Sequence, residues 1–315
     1  MKTAIILPGQ GAQFVGMCKE LAANHTIVRN VFDEVDEALK LKLSKIMFEG
    51  PEEDLTDTAN AQPALMAASI AIVKLTEHLM SGSRITTLAQ VAAGHSLGQY
   101  TALCAAGSMT IADASRILQK RGVAMKNSCP EGIGSMAACL KTSTDELEPI
   151  ILAAKNYGIC EIANDNSAEQ IVISGNVKAV EFAISQLEKI GKRAIKLKVS
   201  APFHCPLMQN AAIEMKIHLN ELEFSDPLIP VIDNCTLKFI IDKKDIPQLL
   251  TKQIIGQVKW RQTMLLLEQE QVEHVLEFAP NDVLTKMNKR SGYKFEATSL
   301  TNALDIEKYL TEFYK

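Results

Sequence analysis

A serine set between two glycines is the first place in this chain where residue type and spacing suggest chemistry. Gly94-His95-Ser96-Leu97-Gly98 reads G-x-S-x-G and falls where an apolar run hands over to a helical pattern. A nucleophilic serine needs its hydroxyl thrown clear of a tight strand-to-helix turn, and glycines two residues to either side relieve the crowding such a turn creates. The helix that follows aims its first N–H groups at the same point. The main-chain N–H of Leu97 is therefore the natural donor to an acyl oxyanion. A Ser96 that merely capped the helix would account for the serine but leave both glycines without a reason.

A serine nucleophile needs a base. The histidines stand at 25, 78, 95, 204, 218 and 274. His95 adjoins Ser96 and should point away from the hydroxyl. His25, His78 and His218 sit among polar neighbours in helical stretches and read as surface residues, while His274 opens a strand. His204 lies in Pro202-Phe203-His204-Cys205-Pro206, just past an expected strand and held between two prolines. Strand ends of a parallel sheet are where such folds place chemistry, so His204 is the expected base; the plain alternative is a loop histidine satisfied by main chain. The acid is less visible. The hydrolase order of serine, acid, histidine puts it between 96 and 204, where Asp165 is the one candidate at a strand end. A main-chain carbonyl or an amide side chain is the other way to orient the base.

Two further groups stand out. Ile111, Ala114, Leu118 and Met125 share a helical stripe, and Arg121 falls on it. A guanidinium cannot be deprotonated, so on an apolar face it needs an anion. Two readings stay open: an internal ion pair, or a substrate carboxylate held by a bidentate fork. Gly9-Gln10-Gly11 follows the first strand, but Phe14 replaces the third glycine of a dinucleotide loop, and no Gly-Lys-Ser/Thr follows. The turn is either a plain one or a display of Gln10 as a second oxyanion donor.

These groups need a parallel sheet to position them. The apolar runs 3–7 and 88–93 read as buried strands. Helices are expected over 14–23, over 62–80 entered through Pro63, over 97–106 closed by Gly107, and over 110–125 capped by Thr110. The middle changes character: strand 134–140, helix 143–156, strands 159–163 and 170–174, helix 177–190 and strand 193–199. That is the β-α-β-β-α-β order of a ferredoxin-like unit. It reads as a small domain, 129–199, inserted into a larger one of 1–128 and 200–315. The rest returns to alternation: 205–222 helix, 231–235 strand, 246–255 and 260–269 helices, 275–278 strand and 283–289 helix. The expected fold is α/β, a hydrolase-like core with a mostly parallel sheet plus the insert.

Composition narrows the function. The 315 residues are 47% apolar and 22% charged, as in globular proteins, with a formal net charge of −4. Sequence-independent binding of nucleic acid wants a positive excess and is excluded as the main task. Seven cysteines, an odd number with no C-x-x-C pair, argue against a disulfide framework or a zinc cage and for a reducing compartment. No apolar run is long enough to span a membrane, and Ala4–Leu7 is too short for a signal core, so the expected location is the cytoplasm.

Together these residues resemble the malonyl-CoA:acyl carrier protein transacylases and the acyltransferase domains of polyketide and fatty acid synthases. The matching stretches run in the family's order over essentially the whole chain. They are Pro8-Gly9-Gln10-Gly11-Ala12-Gln13, Gln62-Pro63-Ala64-Leu65, Gly94 to Gly98, Arg121-Gly122, Pro202-Phe203-His204, Asn234, Gln253, Val272-Glu273-His274, Pro280 and Val283-Leu284-Thr285. The resemblance implies Ser96 as nucleophile, His204 as base, and Gln253 as the residue whose main-chain carbonyl orients that base. It implies Gln10 and Leu97 as the oxyanion hole, and Arg121 as the clamp on a malonyl carboxylate. Gln62, His95 and Asn234 are implied as supporting residues. Phe203, by analogy, suits malonyl over methylmalonyl, and Met125, on the stripe of Arg121, joins the substrate-binding group. Gln99 stands where the family usually has an acid, Gly256-Gln257 replaces Asn-Pro, and Ala279-Pro280-Asn281 replaces Gly-Pro-Gly.

The implied reaction is ping-pong transfer of malonyl from malonyl-CoA to the thiol of acyl carrier protein, with no metal or cofactor. Fatty acid synthesis is the default pathway and a monomer the expected state. A basic patch for an acidic carrier is expected either at Lys189, Lys192, Arg193, Lys196 and Lys198 or at Lys286, Lys289 and Arg290. Rivals are a polyketide acyltransferase, an acyl hydrolase of the same family, or a non-catalytic scaffold that binds the carrier.

Overall fold

Thr3-Ala4-Ile5-Ile6-Leu7 is apolar without alternation, and a strand of that kind must be covered on both faces. It forms β1 (Thr3–Leu7), buried along its whole length, near the middle of a six-stranded sheet. The structure is a computed structural model describing residues 2–199 and 201–314. Its other described strands are β2 (Val91–Gly94), β3 (Gly134–Leu140), β4 (Cys160–Ser167), β5 (Gln170–Asn176), β6 (Arg193–Lys196), β7 (Val231–Ile232), β8 (Phe239–Ile240), β9 (His274–Phe278) and β10 (Glu296–Leu300). The larger sheet runs β10-β9-β1-β2-β7-β8. All its pairs are parallel except the hairpin β7–β8. Successive side chains of β1 go to opposite faces. Ile5 and Leu7 enter the main core, while Ala4 and Ile6 enter a second one with Val91, Ala93 and Trp260. The chain leaves β1 for β2 on one side and returns through β9 on the other. The loops after β1 and β2 therefore open at a topological switch point.

The smaller sheet is antiparallel, in the order β4-β5-β3-β6. All four strands lie within 129–199; the expected boundary at 200 falls outside the described residues. Helices Thr144–Ala154 and Val177–Lys189 cover one face and share a core with Ala137, Cys139, Ile171 and Ile173. A capping box between Ser143 and Glu146 starts the first of them. The opposite face presents Met136, Ala138 and Val172 to the larger unit. β4 fastens the two sheets: Asn164 bridges to Val258, and the Asp165 N–H donates to the Val258 carbonyl at 3.0 Å.

Several expected elements shift. The helix expected over 14–23 is confined to Lys19–Asn24, because Gly16 and Cys18 take left-handed φ of 96° and 60°. The helix expected from 62 begins a turn earlier, as Thr58–Leu79, because the Asp57 side chain caps it by accepting from the Ala59 N–H. Pro63 is thereby interior, and the Ala59 carbonyl forgoes its helical donor. The strand expected over 231–235 stops at Ile232, and the helix expected over 205–222 begins with a 3-10 turn at Pro206–Met208 before Gln209–Asn220. Helices Thr26–Leu39, Leu43–Glu49, Glu52–Thr56 and Ala303–Phe313, with β8 and β10, are among the described elements that sequence patterning had left unassigned. All seven cysteines are free, and burial raises every one of their thiol pKa values, those of Cys18, Cys104, Cys139, Cys160 and Cys235 to about 12. Among the described residues no helix is long and apolar enough to cross a membrane.

Candidate active site

The turn between β2 and the helix Leu97–Ala105 has no room for side chains at either glycine. A Cβ on Gly94 would collide with the Gly98 carbonyl, and one on Gly98 with the carbonyls of Leu7 and Pro8 at the end of β1. Ser96 between them holds φ 54° and ψ −109°, a region that non-glycine residues rarely adopt and keep only when their surroundings enforce it. Three anchors enforce it here. The His95 N–H donates to the Leu7 carbonyl at 3.0 Å, the Ser96 N–H donates to Asn234 Oδ1 at 2.8 Å, and Asn234 Nδ2 donates back to the Gly94 carbonyl at 2.8 Å. Asn234 sits just beyond β7, the next strand over.

His204 reaches the hydroxyl so presented. Its Nε2 lies 2.8 Å from Ser96 Oγ, and its Nδ1 lies 2.9 Å from the Gln253 carbonyl and 3.1 Å from that of Gly256. Carbonyls only accept, so Nδ1 carries the proton and Nε2 is left to accept from the serine. Burial, then the nearby charge of Arg121, pushes the His204 pKa down to about 3, against the pull of the Gln253 carbonyl. The ring is thus a neutral acceptor. Asp165 is not its partner: that carboxylate takes Arg261 and Gln262 at 2.7–3.1 Å and holds β4 to the helix Trp260–Gln269. A carboxylate buried at a sheet junction had to be paired there, which removed it as the orienting acid.

Arg121 projects from the helix Ile111–Asn127 and is 2% exposed. Gly122 lets that helix close on Thr58 and Ala59, whose atoms a Cβ would strike. The guanidinium donates to Gln62 Oε1 at 2.7 Å, to Gln253 Oε1 at 3.0 Å and to Ser96 Oγ at 3.1 Å, and it lies 5.3 Å from the centre of the Tyr100 ring. Its Nε has no partner. No Asp or Glu among the described residues pairs with it, so the internal ion pair left open by the sequence is absent there. A buried cation held only by amides, a hydroxyl and a ring face keeps its charge available to an anion.

Amides link these groups. Gln253 Nε2 is within 2.8 Å of the Ser96 carbonyl, 3.0 Å of Gln99 Oε1 and 3.1 Å of Asn234 Oδ1. Gln10 Oε1 accepts from the Thr58 hydroxyl, which accepts from Gln62 Nε2. The side-chain oxygen of Gln10 is therefore committed, and its main-chain N–H also faces the site. Neither that N–H nor the N–H of Leu97 donates to another described residue. His95 points away from the hydroxyl, as expected. Its Nε2 pairs with Asn166 Oδ1 at 2.8 Å, and its ring edge meets Trp260.

These residues surround a cavity of about 400 Å³. Gln10, Gln62, His95, Ser96, Leu97, Arg121, Met125, Phe203 and His204 line it from below, while Met136, Ala138, Val172, Asn166 and Gln170 of the smaller sheet line it from above. Every site residue expected from the sequence is gathered here, Asn234 and Gln253 standing just behind the wall. The overhead residues and the second carbonyl, from Gly256, were not foreseen. The period-2 pattern of β3 and β5 marks two faces but does not say that one covers a site. Among the described residues no group of three His, Cys, Asp or Glu is gathered to hold a metal.

A family profile described as an acyl transferase domain matches residues 5–301. The chain is 39% identical to the malonyl CoA-acyl carrier protein transacylase of Bacillus subtilis (strain 168), over 97% of this chain and 95% of that protein. It is 36% identical to the protein of the same name from Escherichia coli (strain K12), over 94% and 95%. Among solved structures it is similar to the acyl-carrier-protein-S-malonyltransferase of Bartonella henselae, with TM-score 0.96, 42% identity and 99% of each chain covered. It is also similar to a malonyl-transacylase solved in complex with its type II PKS acyl-carrier protein, with TM-score 0.94, 32% identity and coverage of 99% and 100%.

Proposed function

The chain belongs to the acyl transferase domain family, and from that premise we propose that it transfers malonyl from malonyl-CoA to acyl carrier protein through a malonyl ester on Ser96. His204 Nε2 takes the proton from Ser96 Oγ, which attacks the thioester carbonyl. The main-chain N–H groups of Leu97 and Gln10 stabilise the oxyanion. The C–S bond breaks, and the coenzyme A thiolate leaves with the proton held by His204. The coenzyme A thiolate or solvent takes that proton, the phosphopantetheine thiol of the carrier then yields its own to His204 and attacks the ester, and His204 returns it to Ser96 Oγ as the C–O bond breaks. The Gln253 and Gly256 carbonyls keep His204 in the tautomer that both halves need.

The observation that carries this reading is Arg121: a buried guanidinium, 3.1 Å from the Ser96 hydroxyl, that has only neutral partners. The free carboxylate of a malonyl group is the anion it lacks, with Gln62 holding the fork in plane. The apolar overhead face of Met136, Ala138 and Val172 limits water at the ester. Intact-mass measurement after mixing with malonyl-CoA tests the reading. A malonyl adduct on Ser96 that persists alone and leaves when carrier protein is added is the expected result. Rapid loss without carrier would make the chain a hydrolase, and no adduct would make it a scaffold.

For the carrier we take the second basic patch, on the strength of the groove it lines beside the site. Lys192 and Lys196 are paired with Glu146 and Glu181. Lys286 is likewise paired, with Asp282 at 2.9 Å, but with Lys141 and Arg290 it lines a groove that shares Gln170 with the site, while Lys198 of the first patch lines the site cavity itself. Lys286→Glu with Arg290→Glu should raise the KM for carrier several-fold and leave malonyl-CoA loading unchanged. The site is completed by one chain, which supports action as a monomer, and the seven free thiols support a cytoplasmic location in the service of fatty acid synthesis. We take 129–199 as the small domain and 1–128 with 200–315 as the large one.

A further inference from the structure

We propose that Gln99 and Asp233 form a positioning pair that must carry one negative charge and no more, and that this pair holds the serine turn and the Arg121 clamp in register. The proposal rests on the acyl-transfer reading for its activity readout. Both residues are fully buried. Gln99 Nε2 donates to Asp233 Oδ1 at 3.0 Å, while Gln99 Oε1 accepts from the Asn234 N–H and from Gln253 Nε2, each at 3.0 Å. Asp233 Oδ2 takes the Thr236 N–H at 2.7 Å, the Thr236 hydroxyl at 2.6 Å and the Cys235 N–H at 3.2 Å. The carboxylate is thus saturated with neutral donors, and position 99 must donate at one end and accept twice at the other. An amide does both at any pH, and a carboxyl does so only when protonated.

The two residues that Gln99 holds are those that act on the site. Asn234 Oδ1 anchors the Ser96 N–H, and Gln253 Oε1 anchors Arg121. An acid at 99, usual in this family, would set oxygen against oxygen at the Asp233 contact. One carboxyl would then have to take a proton or the pair would part. An acid at 99 therefore requires a neutral partner at 233. In this chain the charge stands on the strand side of the contact, at Asp233. An asparagine at 233 facing a glutamate at 99 restores every bond with the donor reversed: its Nδ2 serves position 99, and its Oδ1 serves Thr236 and Cys235.

The experiment compares Gln99→Glu, Asp233→Asn and the double variant in malonyl loading of Ser96 from pH 5 to 8, together with thermal midpoints. Gln99→Glu should lose about tenfold or more in loading at pH 8, and regain part of it toward pH 5 as one carboxyl protonates. Asp233→Asn, which sets an amide N–H against other donors, should lose less at all pH values. The double variant should return to within about threefold of the unmodified enzyme, with a non-additive gain in thermal midpoint. Other groups facing the pair do not mimic the pH effect. Burial pushes the Cys235 thiol up to about 12, and burial with the Arg121 charge pushes His204, reached through Gln253, down to about 3, both outside the range tested; Lys252 and Lys259 also face the pair. Full loading by Gln99→Glu at pH 8, or a double variant no better than it, would overturn the pair. The midpoints test the pair even if the unmodified enzyme forms no malonyl adduct, an outcome that would count against the acyl-transfer reading alone.

Discussion

The floor of the cavity rises from a parallel sheet and its roof hangs from an antiparallel one, and the two place their side chains by different means. On the floor, hard contacts and hydrogen bonds leave no slack: two glycines abut main-chain carbonyls, and Ser96, His204 and Arg121 are each tied to named amides or carbonyls. On the roof, Met136, Ala138 and Val172 offer apolar shape, and the one polar strut to the floor from the lining residues is Asn166 on His95. Where bond formation is to occur, position is dictated atom by atom. Where water is to be kept out, volume suffices.

Substitutions should separate the two. The largest effect is expected at the turn. Gly94→Ala forces a Cβ into the Gly98 carbonyl, so malonyl loading should fall to background, with a lowered thermal midpoint or misfolding read by circular dichroism. Next comes Arg121→Ala, which should cut malonyl loading by about a hundredfold or more while sparing acetyl loading. Equal loss of both would mean that the guanidinium supports the turn rather than grips a carboxylate. The smallest effect belongs to the roof. Val172→Ala leaves a pocket open to the site and should change loading rates by less than about fivefold while widening tolerance for branched acyl groups. A roof substitution as damaging as one on the floor would break the contrast.

Acidity sharpens it further. The folded-state pKa of His204 is depressed, to about 3 from an ordinary 6.5. Between those values the unfolded chain binds a proton that the folded chain refuses, so stability falls as pH drops through that window. Loading should accordingly keep its base well below pH 6, with its acid limit set by unfolding. Arg121 contributes to the depression, so in Arg121→Ala the His204 pKa should rise, and protonation of the base, in place of unfolding, should then set a higher acid limb for acetyl loading. Thermal midpoints of His204→Ala should lose less on acidification than those of the unmodified chain.

How much of this was legible depended on range. Ser96, its glycines and the Thr110 cap are local, and local sterics are written in adjacent letters. His204 was found by its place after a strand, and Arg121 by its stripe. The ferredoxin-like order of the insert followed from alternating periods, and the strand order agrees with it. What escaped was set by contacts between distant segments. Asp165 looked like a catalytic acid because its partners, Arg261 and Gln262, lie nearly a hundred residues away. Pro63 looked like a helix entrance because proline is favoured in a first turn, whereas the cap that starts this helix is Asp57, a turn earlier. Gln99 registered as a departure from family habit, but its reason lay in Asp233, which only folding brings near.

The seven sheltered thiols have a practical bearing. Disulfide exchange proceeds through the thiolate, and burial keeps these sulfurs protonated at assay pH. An aryl disulfide chromogen added to the folded enzyme would therefore meet almost no competing protein sulfur. Its colour would count coenzyme A released as Ser96 is loaded in the half-reaction run without carrier protein, whose own thiol would react, and a rising background would itself report that the molecule had come undone.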